Sequence, residues 1–296
     1  MPQQLNHDRA RSGGSPPGRH VRAIAATLAA GLTALLLSGS APHVATGQAD
    51  TRVVPPMYRM MYVPDDQDRR ISEAREVLVT NCMAAHGLSY ATHVEDITEA
   101  EALAALQPFG LESLDDLTTE PAPAEPVHSE EYARVLFGDP DQRMVARGER
   151  LEISSPGTGC LADAEYRLLG DQRQRASELR LRLYDGERDA RERLDRDPAF
   201  LAATQRWRTC VNRFGIDAAN PGDLLDKLPD DVVAATDPAL RADLRCKRET
   251  GYLDTAYARL AELQDDWLTA HADLTGEWLA LRQRQDHVAR QVLGPR

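Results

Sequence analysis

Two helix-like segments of this chain end in the same way, and each is followed by a later cysteine. In the first, Ile71, Ala74, Val77, Leu78, Cys82 and Met83 recur at helical spacing before Gly87. In the second, Asp197 and Pro198 supply a cap and a first-turn proline. Phe200, Leu201, Thr204, Trp207 and Val211 form its stripe, and Gly215 closes it in the left-handed conformation. Both endings read Cys-x-x-x-x-Gly, at Cys82 and at Cys210. Cys160 and Cys246 lie downstream, and each opens onto a long polar helical pattern. The spacing predicts one supersecondary unit used twice. Four cysteines allow three pairings, and the one that repeats the unit is Cys82–Cys160 with Cys210–Cys246.

The compartment follows from the start of the chain. Arg9, Arg11, Arg19 and Arg22 precede an uncharged, mostly apolar run at residues 23–37, and small residues follow it. That is the charged, hydrophobic and small-residue order of a secretory signal peptide, assigned to residues 1–40. A spanning helix needs about 20 apolar residues, so a membrane anchor is expected only if this segment stays uncleaved. Ser40 stands where a lipoprotein signal would carry its lipidated cysteine, which argues against a lipid anchor. An exported chain with an even cysteine count favours two disulfides. The net charge of −12 becomes −15 once residues 1–40, with those four arginines and the single acid Asp8, are discounted. Such an acidic chain is not expected to bind nucleic acid or anionic lipid.

Taken in order, residues 41–67 bear prolines without a helical period and read as a mobile mature N-terminus. Residues 68–250 read as a helical bundle of two Cys-helix units, and residues 251–296 as a coiled-coil C-terminal helix. Thr98 and Glu101 have capping-box spacing. The proline-rich stretch 118–126 reads as a surface loop between the cysteines of the first pair. Residues 145–153 alternate enough for a strand or hairpin. From Cys160 the pattern is helical to about residue 194, with Thr158 as cap and kinks expected at Gly170 and Gly186.

The last helix is expected to run from Asp237-Pro238 to about residue 293. Leu253, Leu260, Trp267, Leu274, Leu281 and Val288 occupy one heptad position. Tyr257, Gln264, His271, Trp278, Gln285 and Val292 occupy the other. At 1.5 Å per residue the helix would span about 80 Å, so its end should project. Val288 and Val292 would then lack a partner in the same chain. Leu260, Trp267, His271, Leu274, Trp278 and Leu281 form the expected interaction seam, with a homodimer or an envelope protein as partner.

No active-site pattern survives inspection: there is no nucleophile elbow, zinc-protease helix, phosphate loop, dinucleotide glycine pattern or calcium loop. Cys82 and His86 have the i, i+4 spacing of metal ligands, with His93 nearby. Zinc cysteines usually come in close pairs, however, and these are far apart, so a disulfide and a solvated histidine are the expectation. Asp65, Asp66 and Asp68 suit a positive helix start better than a metal. No catalytic residue, metal or cofactor is expected.

Asn81-Cys82-Met83 with Gly87, the run from Gly159-Cys160 to Leu169-Gly170, and Trp207-Arg-Thr-Cys210-Val211 with Gly215 resemble a loose group of secreted or lipoprotein-like actinobacterial proteins of unassigned function. The resemblance covers roughly residues 70–260. It implies an exported setting and disulfides, and it supplies no catalytic residue.

The resulting expectation is an all-α, disulfide-stapled helical bundle with a long C-terminal coiled-coil helix, secreted or otherwise extracytoplasmic. Its expected role is that of a non-enzymatic structural or interaction protein of the cell envelope, acting through that helix. The alternative is a binding module for a cell-wall or small-molecule ligand.

Overall fold

The computed structural model describes residues 52–92, 97–113, 128–229 and 236–295. The signal segment, His93 and the proline-rich stretch 118–126 lie outside the described residues.

The fold is all-α with one small hairpin. The first Cys-unit begins at helix α2 (Asp66–Ala85), after a short helix α1 (Pro56–Met61). Asp65 and Asp68 exchange a capping box at the start of α2, so the acidic cluster satisfies helix-end amides. Helix α3 (Glu99–Leu106) carries the expected Thr98–Glu101 box. Helix α4 (Glu130–Phe137) stops at Gly138, and strands β1 (Arg143–Arg147) and β2 (Glu152–Pro156) pair antiparallel. A Cβ on Gly138 would sit 2.3 Å from the Thr158 carbonyl oxygen, so glycine is what lets the two backbones cross there. Helix α5 (Cys160–Leu169) is preceded by Gly159, not capped by Thr158. The Thr158 hydroxyl instead accepts the Asp139 N–H at 3.0 Å.

After a single 3-10 turn at Gly170–Gln172, helix α6 (Arg173–Leu194) forms the long central element. The break expected at Gly170 is present, whereas the helix runs through Gly186 without one. Gly186 is the floor under the Trp267 indole: a Cβ there would stand 2.4 Å from Trp267 Cε2. The second Cys-unit follows as α7 (Pro198–Asn212), α8 (Pro221–Lys227) and α9 (Pro238–Thr250). Asp197 and Asp237 cap α7 and α9 through the expected Asp-Pro starts. The disulfides are Cys82–Cys160 and Cys210–Cys246, the pairing that repeats the unit.

The C-terminal region departs from the expectation of one continuous helix. It is three helices, α9, α10 (Tyr252–Ala270) and α11 (Ala272–Leu293). Gly251 takes the left-handed conformation, φ 60° and ψ 32°, between α9 and α10. His271 breaks the helix at φ −119° and ψ 39°; its ring stacks on Trp267, with centroids 3.8 Å apart. Beyond the break α11 packs against α2 and α5. Val288 and Val292 therefore do not project. They pack with Ile71, Ala74, Leu168 and Ala289. A heptad repeat reports only that one face is buried; here that face is covered by helices of the same chain.

The N-terminal expectation also changes. Within the stretch read as mobile, α1 inserts Met57 among Leu179, Leu183, Trp267 and Leu281. The Met57 N–H donates to Gln264 Oε1 at 2.9 Å, so this polar seam residue anchors α1 and does not set register with another chain. The largest core gathers Tyr58, Leu194, Trp207, Val211, Tyr252 and Leu260 from α1, α6, α7 and α10 around Cys210 and Cys246.

Candidate functional site

The densest polar chemistry lies inside the bundle. Asp243 and Lys247 stand one turn apart on the inward face of α9, 0% and 1% exposed. Lys247 Nζ donates to Asp243 Oδ2 at 2.8 Å and to the Leu111 carbonyl oxygen at 2.5 Å. Trp207 Nε1 on α7 donates to Asp243 Oδ1 at 2.9 Å. Helical i, i+4 spacing brings the acid and the amine together, and the disulfide at Cys246 fastens α9 to α7 beside them.

The segment 107–113 closes over this pair. Its Glu112 carboxylate accepts from Tyr257 Oη at 2.8 and 3.0 Å and from Arg52 at 2.6 Å. Arg191 donates to the Pro108 carbonyl at 2.7 Å and lies over the Phe109 ring. A further carboxylate, Glu187, accepts from Tyr62 Oη at 2.9 Å. Burial pushes Glu112, Glu187 and Asp243 above the usual carboxylate range and Lys247 below the usual amine range. Burial likewise raises Tyr257, helped by the adjoining Glu112. Perturbed groups can mark an active site. These are closed into hydrogen bonds: Lys247 and Tyr257 pin the 107–113 segment to α9 and α10, and Glu187 ties α6 to Tyr62 at the end of α1.

An open groove of about 630 Å³ lies elsewhere, between the α1–α2 corner and α3. Met61, Val63, Pro64, Ala102 and Leu106 make it largely apolar, and the acids at its edge, Asp68 and Glu101, are both used as caps.

Cys82, His86 and Cys160 place their ligand atoms within 4.8 Å of one another. Both sulfurs are bonded to each other, so the trio does not form a metal site as it stands. The seam residues chosen from the heptads lie within the fold. Leu260, Trp267, Trp278 and Leu281 are buried, Leu274 packs partly buried beside them, and His271 is half-buried against Trp267.

Sequence reasoning passed over Asp243, Lys247, Glu112 and Arg52. One signal was present: Lys247 is one of only two lysines in the chain, and it stands four residues after an aspartate within a helical pattern. Glu112 carried no comparable signal, because its partners are distant in sequence.

Two disulfides suggest an oxidising, extracytoplasmic environment. Among the described residues no helix is long and apolar enough to cross a membrane. No protein-family model, curated protein or solved structure matches this chain.

Proposed function

We propose that this chain is an exported structural or interaction protein of the cell envelope that acts without catalysis. The observation that carries the reading is the pair of disulfides, one stapling each Cys-unit, joined to a signal-like N-terminal sequence. The buried acids and the buried lysine support it too, because each is engaged in holding segments of the chain together. The contact surface lies outside the heptad seam, whose residues are occupied within the fold. Partners are an envelope protein or a second copy of this chain.

Fractionation of the native host with intact-mass measurement tests the reading. The expected result is a chain outside the cytoplasm, beginning between about residues 40 and 50, with both disulfides formed. A full-length, reduced chain in the cytoplasm would overturn it.

The binding-module alternative is supported by the groove beside α3. Its test is an apolar fluorescent probe titrated into the mature protein and into an Ala102→Trp variant that fills the groove. Binding lost in the variant favours the alternative. Equal binding, or none to either protein, sinks it.

A further inference from the structure

We propose that Lys247 and Asp243 close into a side-chain amide, an intramolecular cross-link within α9 formed once the chain has folded. Three features of the site carry this. The first is contact in the right connectivity. The amine nitrogen lies 2.8 Å from Asp243 Oδ2, and both side chains are essentially without solvent access. Residues four apart on a helix are neighbours, so a ring joining them leaves α9 in place. Groups held this way react with effective molarities of up to about 10⁸ M.

The second is the count of hydrogen bonds. An ammonium has three protons to place. Lys247 Nζ has two acceptors among the described residues, Asp243 Oδ2 and the Leu111 carbonyl. An amide has one N–H and one carbonyl oxygen. The Leu111 carbonyl is positioned for that N–H, and the Trp207 indole N–H is positioned for that oxygen, at Asp243 Oδ1. The product satisfies its polar atoms with partners already in place, whereas the ion pair has a third ammonium proton with no acceptor among the described residues.

The third is reactivity. Burial pushes the Asp243 carboxyl up and the Lys247 amine down, which favours the form in which the ammonium proton has passed to the carboxylate; that amine-and-acid form is the one that reacts. The amine nitrogen then bonds to Asp243 Cγ. Negative charge developing on Oδ1 is met by the Trp207 N–H. The Cγ–Oδ2 bond breaks, and Oδ2 leaves as water, carrying its own proton and one from the nitrogen. No oxidant, metal or second substrate is needed. Glu112 is not the partner carboxyl, because its oxygens are held by Arg52 and Tyr257.

Tryptic mapping of the purified, reduced and alkylated protein tests the cross-link. An acylated Lys247 resists trypsin. The expected product is therefore a branched peptide in which residues 242–245 are joined to residues 246–248, one water lighter than the two together. A Lys247→Met variant should yield residues 242–245 as a free linear peptide at full mass. Cleavage after Lys247, with both peptides recovered at full mass from the wild-type protein, overturns the proposal. So does a water loss confined to residues 242–245, which would be a succinimide at Asp243. The wild-type map decides the matter even if the variant fails to fold.

Discussion

Replacing Gly186 by alanine sets two effects of opposite sign against each other. Gly186 lies inside α6, where alanine is the better helix former by about 1 kcal/mol. From helix propensity alone the substitution should stabilise. The added Cβ, however, would lie 2.4, 2.6 and 2.6 Å from Cε2, Cδ2 and Cζ2 of Trp267. Carbon atoms pack best at about 3.5–4.0 Å, so the indole would have to retreat by about 1 Å or more. It has little room, because Trp267 packs with Leu179, Leu183, Trp278 and Leu281 and carries the His271 ring on its face. Overpacking of this kind typically costs about 1–3 kcal/mol, which exceeds the propensity gain in most of that range. The expected net effect is a loss of up to about 2 kcal/mol. At about 2–4 °C per kcal/mol for a chain of this size, Tm should fall by up to about 8 °C. Thermal unfolding of the oxidised protein reads this directly. The decisive form is a double-mutant cycle with Trp267→Leu. In that background the clash is gone, so Gly186→Ala should be neutral or stabilising by up to about 1 kcal/mol. If Gly186→Ala raises Tm in the wild-type protein, or if the two substitutions add without coupling, the packing of the indole on α6 is refuted.

The disulfides span 78 and 36 residues, so on the chain-entropy model they contribute about 4.5 and about 4 kcal/mol. Paired Cys→Ser substitutions should each lower denaturant stability by amounts of that order, and an unchanged midpoint in either case would count against that bridge as a staple. A chain truncated after Thr275 loses nearly all of α11 and uncovers Ile71, Ala74 and Leu168; it should melt without cooperativity and bind a hydrophobic dye, and retention of the full-length Tm would be the contrary result. Arg70 first, and then Arg290, hold the Asp286 carboxyl below its ordinary value. The resulting stability is present above about pH 3.9 and is lost as pH falls through the lower folded value. The stability gap between wild type and Asp286→Asn should therefore close on acidification, and a gap that stays constant from neutral pH down to pH 2 would contradict this.

The caps, closing glycines and cysteine units were legible because they are local. Asp65 with Asp68, Thr98 with Glu101, and the two Asp-Pro starts each complete their hydrogen bonds within one turn of backbone. Gly87 and Gly215 adopt positive φ as the end of a helix requires. The polar cluster was not legible. Glu112 meets Tyr257 and Arg52 across 145 and 60 residues of chain, and nothing at those positions alone distinguishes a buried acid from a solvated one.

The amino-acid pattern by itself determined that the chain is helical, which faces of its helices are apolar, and that the cysteines belong to two like units. It did not determine what covers those faces. Leu260, Trp267, Trp278 and Leu281 fall on heptad positions whether the opposing surface is another chain or another helix of the same one. Only the tertiary structure decided this, by interrupting the helix at Gly251 and His271 and packing α11 on α2. Gly186 shows the same limit. In sequence it is a weak point in a helix, and only the arrival of Trp267 from a distant segment makes the missing side chain necessary. Periodicity encodes burial, whereas the identity of the burying partner is a relation between residues far apart in the chain.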